Sequence, residues 1–268
     1  MSLWLFHTND FHGRLTPERA DILARLRSAQ PESLLLDAGD AVSAGNLGFR
    51  LGGEPVLRRM SELGYDAMTI GNRESHPRRE LFAKKLEGAR FPILCANLTA
   101  RPGAPVPTQP WVTLARSGVQ VAVIGLTVPM FTRKMWSQAL CDYFYESPIE
   151  TARALAAELR PQCDLLIALT HIGLRQDHSL AQAVPEIDLI VGGHTHADLE
   201  APMLVGDTPI LHTTAYGSYL GRARLECHAG SWRVAAWERL PLRSGQQSAI
   251  GGRPGKRPAK ADSSTADG

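Results

Sequence analysis

Five short apolar runs in this chain each break off into a polar cluster containing aspartate, asparagine or histidine, and this recurrence limits the fold more than any other feature. Leu3-Trp4-Leu5-Phe6 leads into His7-Thr8-Asn9-Asp10-Phe11-His12-Gly13, and Ser33 to Leu36 into Asp37-Ala38-Gly39-Asp40. Ala67 to Ile70 leads into Gly71-Asn72-Arg73-Glu74-Ser75-His76. Cys163 to Leu169 runs into Thr170-His171, and Asp188 to Val191 into Gly192-Gly193-His194-Thr195-His196. Short apolar runs bounded by turn residues predict buried strands. In a sheet whose strands run largely parallel, the carboxyl ends meet along one edge, where active sites form.

The segments between these runs supply the helices. Pro17 to Ser28 places Ile22, Leu23 and Leu26 on one face, with proline in the first turn. Glu54 to Leu63 is stopped by Gly64; Pro77 to Leu86, the alanine-rich Ile149 to Leu159, and Asp177 to Ala183 complete the set. Phe91 to Leu98 predicts a fourth strand, followed by a loop holding Pro102, Pro105, Pro107 and Pro110. Ser117-Gly118 between Trp111–Arg116 and Val119–Leu126 predicts a hairpin. Pro209–Thr213, Gly221–His228 and Trp232–Leu240 read as antiparallel strands. The order predicts an α/β domain over residues 1–243, with two sheets face to face and helices outside.

Composition excludes several classes. Residues 244–268 carry Arg253, Lys256, Arg257 and Lys260 against Asp262 and Asp267, so the body balances 25 basic against 25 acidic residues. A neutral body offers no electrostatic footprint for nucleic acid. The tail 244–268, rich in Gly, Ser, Ala, Pro and Lys without apolar periodicity, is expected to be disordered. No apolar run approaches a membrane span. Cys95, Cys141, Cys163 and Cys227 form no CxxC pair and are expected as reduced thiols. With no leader-like apolar stretch at the N-terminus, a cytoplasmic location is expected.

The strand-end clusters collect Asp10, His12, Asp40, Asn72, His171, His194 and His196. Carboxylate, amide and imidazole groups suit borderline divalent metals such as Zn, Mn or Fe. The set exceeds one tetrahedral site and suits two adjacent cations, with Asp40 as the candidate bridge. Two such cations are suited to in-line displacement at phosphorus.

The ordered pieces Asp10-Phe11-His12, Gly39-Asp40, Gly71-Asn72-Arg73-Glu74, His171 and Gly193-His194-Thr195-His196 resemble the calcineurin-like metallophosphoesterase superfamily. His7 to Gly13, Ala96-Asn97-Leu98, Ile124-Gly125-Leu126-Thr127 and Gly217-Ser218-Tyr219-Leu220-Gly221 are similar to its 5′-nucleotidase branch, over about residues 3 to 240. The resemblance implies a four-layer α/β/β/α sandwich of two mixed sheets flanked by helices. It implies one metal on Asp10, His12, Asp40 and His196 and a second on Asp40, Asn72, His171 and His194. It further implies hydrolysis of a small-molecule phosphomonoester or phosphodiester of nucleotide type. A catalytically weakened scaffold of the same fold is the alternative.

Two departures stand out. The family usually has histidine where this chain has Arg73, and the nucleotidase branch has aspartate where this chain has His76. Arginine cannot act as an acid at neutral pH but stabilises developing charge on phosphate, leaving His76 as the expected proton donor. The nucleotidase branch also carries a further C-terminal domain that grips the base; here the aromatic stretch 127–147 is the local candidate for that task, with plain packing as its alternative. His7 is expected to support the site or pack beneath it, His212 to be a strand-end polar residue or to face the site, and Asp177 and His178 to cap a helix or orient His171.

Overall fold

The computed structural model describes residues 1–243; the expected disorder of 244–268 lies outside them. From the N-terminus, β1 (Ser2–Thr8), α1 (Pro17–Ser28), β2 (Leu34–Asp37), α2 (Pro55–Glu62), β3 (Ala67–Thr69), α3 (Arg79–Lys85) and β4 (Ile93–Leu94) form consecutive βαβ units. The four strands pair parallel in that order. Thr16 opens α1 by accepting the Arg19 N–H on its side chain, and Pro17 fills the first turn.

Next come β5 (Leu98–Ala100), β6 (Trp111–Arg116), β7 (Val119–Thr127) and β8 (Tyr143–Tyr145). Strands β6 and β7 form the expected hairpin, with Ser117 and Gly118 both at left-handed φ (50° and 73°), as a type I′ turn requires. Then follow α4 (Pro148–Leu159), β9 (Leu165–His171), α5 (Leu174–Ala183), β10 (Leu189–Gly192), β11 (Met203–Val205), β12 (Thr208–Leu211), β13 (Tyr219–His228) and β14 (Ser231–Pro241). One mixed sheet has the order β14-β13-β1-β2-β3-β4, the other β11-β12-β10-β9-β7-β6.

Alternation along the strands builds the layers. Leu3, Leu5, Leu34, Leu36 and Ala67 of the first sheet pack against Val121, Val123, Leu165, Ile167 and Val191 of the second. Their sequence neighbours face outward: Phe6, Leu35 and Met68 meet Ile22, Leu23, Val56, Leu57 and Met60 of α1 and α2. Ala122, Ile124, Leu166, Ala168 and Ile190 meet Ala152, Ala156, Leu159, Leu180 and Ala181 of α4 and α5. The result is the four-layer α/β/β/α sandwich. Each fully buried leucine contributes about 2 kcal/mol.

One expectation needs correction. Phe91–Leu98 is not one strand: after β4 the chain crosses to the second sheet, with Cys95 N–H on Gln109 O and Ala96 N–H on Gly125 O. Asn97 fixes this crossing through Thr127 and Glu146. Within the aromatic stretch 127–147, Tyr143, Phe144 and Tyr145 are packing, forming buried β8 against β5, whereas Trp136 is exposed. All four cysteines are unpaired. Among the described residues no helix is long and apolar enough to cross a membrane.

Candidate metal centre

The carboxyl ends of β1, β2, β3, β9 and β10 lie together, and the loops that follow them carry Asp10, His12, Asp40, Asn72, His194 and His196, with His171 at the end of β9. On one side, His12 Nε2 lies 3.5 Å from Asp10 Oδ1 and 3.5 Å from Asp40 Oδ2, and His196 Nε2 lies 3.3 Å from Asp10 Oδ1. On the other, His171 Nε2 lies 3.5 Å from Asp40 Oδ1 and 3.3 Å from Asn72 Oδ1, and His194 Nδ1 lies 3.1 Å from Asn72 Oδ1. Asp40 stands between the two groups, one oxygen toward each.

Local backbone geometry aims these side chains. Asp10, His12, Asp40, His194 and His196 all have φ between 49° and 80°, in the left-handed region. Such conformations cost of order 1 kcal/mol or more each and persist where surrounding contacts over-determine them. Those contacts are present. Asp10 N–H donates to Gly39 O, His12 N–H to Asp40 O, Tyr216 N–H to Asp10 O, and His194 N–H to Asp10 Oδ2. Gly71 gives Asp40 room, since a Cβ there would lie 2.2 Å from Asp40 Oδ1.

Two further carboxylates, both fully buried, sew the loops together. Glu74 accepts the Asp40 and Gly71 N–H groups on one oxygen and the Val42 N–H on the other. Asp37 accepts Gly39 N–H and the Thr8 hydroxyl. Burial raises the carboxyl pKa of both, and nearby Asp40 adds to the effect at Glu74. Sequence reasoning gave neither a role. Their signal was position, since each sits within a few residues of a ligand-type side chain at a strand end.

Electrostatics favours a bound cation. Burial opposes the charged form of Asp10, yet His12, His171 and His196 hold its pKa down at about 2. Burial also opposes the His12 cation, but the flanking Asp10 and Asp40 carboxylates lift it to about 9. A proton is here stabilised where two carboxylates and imidazole nitrogens converge, which is also the setting a divalent metal requires.

The donor set fits such ions on unsatisfied atoms. Asp10 Oδ2 is occupied by the Asn9 amide and the His194 N–H, whereas buried Asp10 Oδ1 and His12 Nε2 meet no hydrogen-bond partner. His171 Nδ1 donates to Ala38 O at 2.7 Å, leaving the Nε2 lone pair turned toward the oxygens of Asp40 and Asn72. Ring-fixing of this kind is characteristic of metal-ligating histidine. Two sets of ligand-type atoms lie within 4.8 Å of one another: Asp10, His12 and His196, and Asp10, Asp40 and His171.

Arg73 and His76 separate. Arg73 Nε lies 3.7 Å from Asp40 Oδ2, its Nη1 donates to Ser43 O, and its backbone N–H donates to Asp40 Oδ1. The guanidinium therefore borders the centre. His76 is buried, accepts the Arg78 N–H on Nδ1 just before α3, and lies by Leu47 and Lys85; burial lowers its pKa. Its described partners, Arg78, Leu47 and Lys85, are none of the seven. His7 packs under the site by stacking on Trp237, while His212 and Thr170 both bond Asp177 in the first turn of α5. Tyr216, which sequence reasoning passed over, sets its ring edge-on to His12 and His196 at 5.1 and 5.4 Å.

A family model described as calcineurin-like phosphoesterase matches residues 3–198. The chain is 31% identical over 284 aligned positions to a 5′-nucleotidase of Vibrio cholerae, covering 90% of this chain and 51% of that protein. It therefore spans about half the length of this curated relative. Among solved structures, the 5′-nucleotidase precursor from Thermus thermophilus superposes with a TM-score of 0.72 at 24% identity, covering 90% of this chain and 54% of the other. The calcineurin-like phosphoesterase YfkN from Bacillus subtilis superposes at 0.69 with 23% identity, covering 90% and 91%. Both likenesses concern the fold.

Proposed function

Because the chain belongs to the calcineurin-like phosphoesterase family, we propose that it hydrolyses small phosphate esters of nucleotide type with two divalent cations, Mn, Zn or Fe. Asp10, His12, Asp40 and His196 would hold one cation, and Asp40, Asn72, His171 and His194 the other. The observation that carries this reading is Asp40, whose oxygens face His12 on one side and His171 on the other, each at 3.5 Å. When bound, the cations supply Lewis acidity to the phosphoryl group and make water more acidic.

The chain's own groups do the rest. Asp10 and Asp40 keep their negative charge at neutral pH and concentrate cations at the strand ends. The Arg73 guanidinium, anchored by Ser43 O, stabilises the charge that grows on the equatorial oxygens. With His76 held at the start of α3, the leaving oxygen takes its proton from solvent. Nucleotide-type substrates are favoured by likeness to proteins named 5′-nucleotidase. The neutral body speaks against a polymeric nucleic acid.

The test is turnover of p-nitrophenyl phosphate and its bis-ester by manganese-loaded protein across a pH series, followed by a panel of nucleoside monophosphates and 2′,3′-cyclic nucleotides. Hydrolysis of at least one ester, abolished by a chelator, is expected. Inert metal-loaded protein overturns the proposal and leaves the scaffold reading, which activity appearing on Arg73→His would then support.

A further inference from the structure

Beside the centre lies a hollow of about 620 Å³ lined by Gly13, Arg14, Thr16, Glu18, Arg19 and Arg243, with Leu242. Three guanidiniums face one carboxylate there. Gly13 directly follows His12, so the hollow adjoins the half-site of Asp10, His12 and His196. Tyr216 forms the wall between: its ring meets His12 at 5.1 Å, and the Arg14 guanidinium lies over the same ring at 4.3 Å. These two steps put the Arg14 charge within about 9 Å of the His12 imidazole. Arg19 is spent on the frame, since its Nη1 donates to Arg14 O and Tyr216 O. Burial, then repulsion from Arg243 and Arg14, lowers the Arg19 pKa, with Glu18 acting in the opposite sense.

Resting on the phosphoesterase reading of the centre, we propose that this hollow is a subsite for a second, non-reacting phosphate on the same substrate. The substrate class is then a nucleoside bisphosphate or another nucleotide bearing two separated phosphates. Guanidinium forks match phosphate oxygens in pairs. No chemistry occurs here: Arg14 and Arg243 hold the distal phosphate while the reacting one sits at the centre.

The experiment compares kcat/KM for adenosine 5′-monophosphate and adenosine 3′,5′-bisphosphate on manganese-loaded full chain, wild type against Arg14→Gln and Arg243→Gln. Wild type is expected to favour the bisphosphate by ~10-fold, the scale of one charge-assisted hydrogen bond, and each variant to lose most of that preference. Arg14→Lys, which keeps the charge, restores part of it. Equal preference in wild type and both variants, or no preference in wild type, overturns the subsite. If neither ester turns over, it is the reading of the centre that falls. Titration calorimetry of the same protein with the bisphosphate then decides the subsite alone. Binding weakened ~10-fold in either glutamine variant supports it; equal affinity in all, or no binding to wild type, sinks it.

Discussion

The two halves of the centre share Asp40 but are held in place by different means. The half built on Asp10, His12 and His196 has a carboxylate of its own, is open on one flank, and depends on left-handed backbone at all three residues. The half built on Asn72, His171 and His194 has an amide in place of that carboxylate and a fully buried His171 whose ring is fixed by Ala38 O. The contrast continues beneath them. Under the first half, β1 carries His7, buried with neither ring nitrogen hydrogen-bonded. Under the second, Thr170 of β9 donates to Asp177, which also bonds His212. One half is rich in charge and braced by backbone bonds between loops; the other is charge-poor and braced by buried side-chain bonds.

The most direct way to break the comparison is to remove what the halves share. Asp40→Asn is expected to lower kcat by at least ~10³-fold, about 4 kcal/mol of transition-state stabilisation, and to reduce metal content at both halves. Metal analysis beside a phosphate-release assay checks it; loss at one half only would mean that the halves are independent. Next is the bracing of the second half. Asp177→Ala strands His212 and Thr170 in the core and is expected to destabilise the fold by about 3 kcal/mol, read as a fall in the urea midpoint with unchanged m.

Acid sharpens the difference. Burial, aided by neighbouring His212, lowers His7 from 6.5 to about 3. Below pH 6.5 the unfolded chain therefore binds a proton that the folded chain refuses, and stability falls as pH falls, until about pH 3. At pH 5 the loss from this residue is about 2 kcal/mol relative to pH 7. Urea titrations at both pH values should show a smaller drop for His7→Gln than for wild type; equal drops would clear His7 of the effect. The smallest expected effect concerns the amide. Asn72 Nδ2 donates to Asn46 Oδ1, and Lys85 Nζ pins that loop through Gly45 O and Asn46 O. Asn46→Ala is expected to weaken the second metal by ~10-fold, the low end for an outer partner, seen in a metal-buffered titration.

The parts of this centre legible in the sequence were those written as hydropathy. Buried strands need apolar runs, so the ends of β1, β2, β3, β9 and β10 announced themselves, with the ligand-type residues immediately after. The four-layer fold followed from alternating βαβ units. What stayed hidden depends on contacts between distant segments. Nothing local tells that Glu74 bonds the backbone at Asp40 and Val42, or that Tyr216, two hundred residues after His12, sets its ring against it. His76 looked like a replacement donor because it lies three residues after Arg73. Only the start of α3, where it accepts the Arg78 N–H, shows its ring engaged elsewhere. The break in Phe91–Leu98 was invisible for the same reason, since the chain there switches sheets without a change in hydrophobicity.

The unusual φ angles at Asp10, His12, Asp40, His194 and His196 carry a lesson for anyone wishing to transplant this arrangement. Copying the aspartates and histidines onto strand ends of ordinary right-handed geometry would send each side chain in another direction. The portable unit is the set of interlocked loops, and a designer would have to move those whole, cross-linking backbone bonds included.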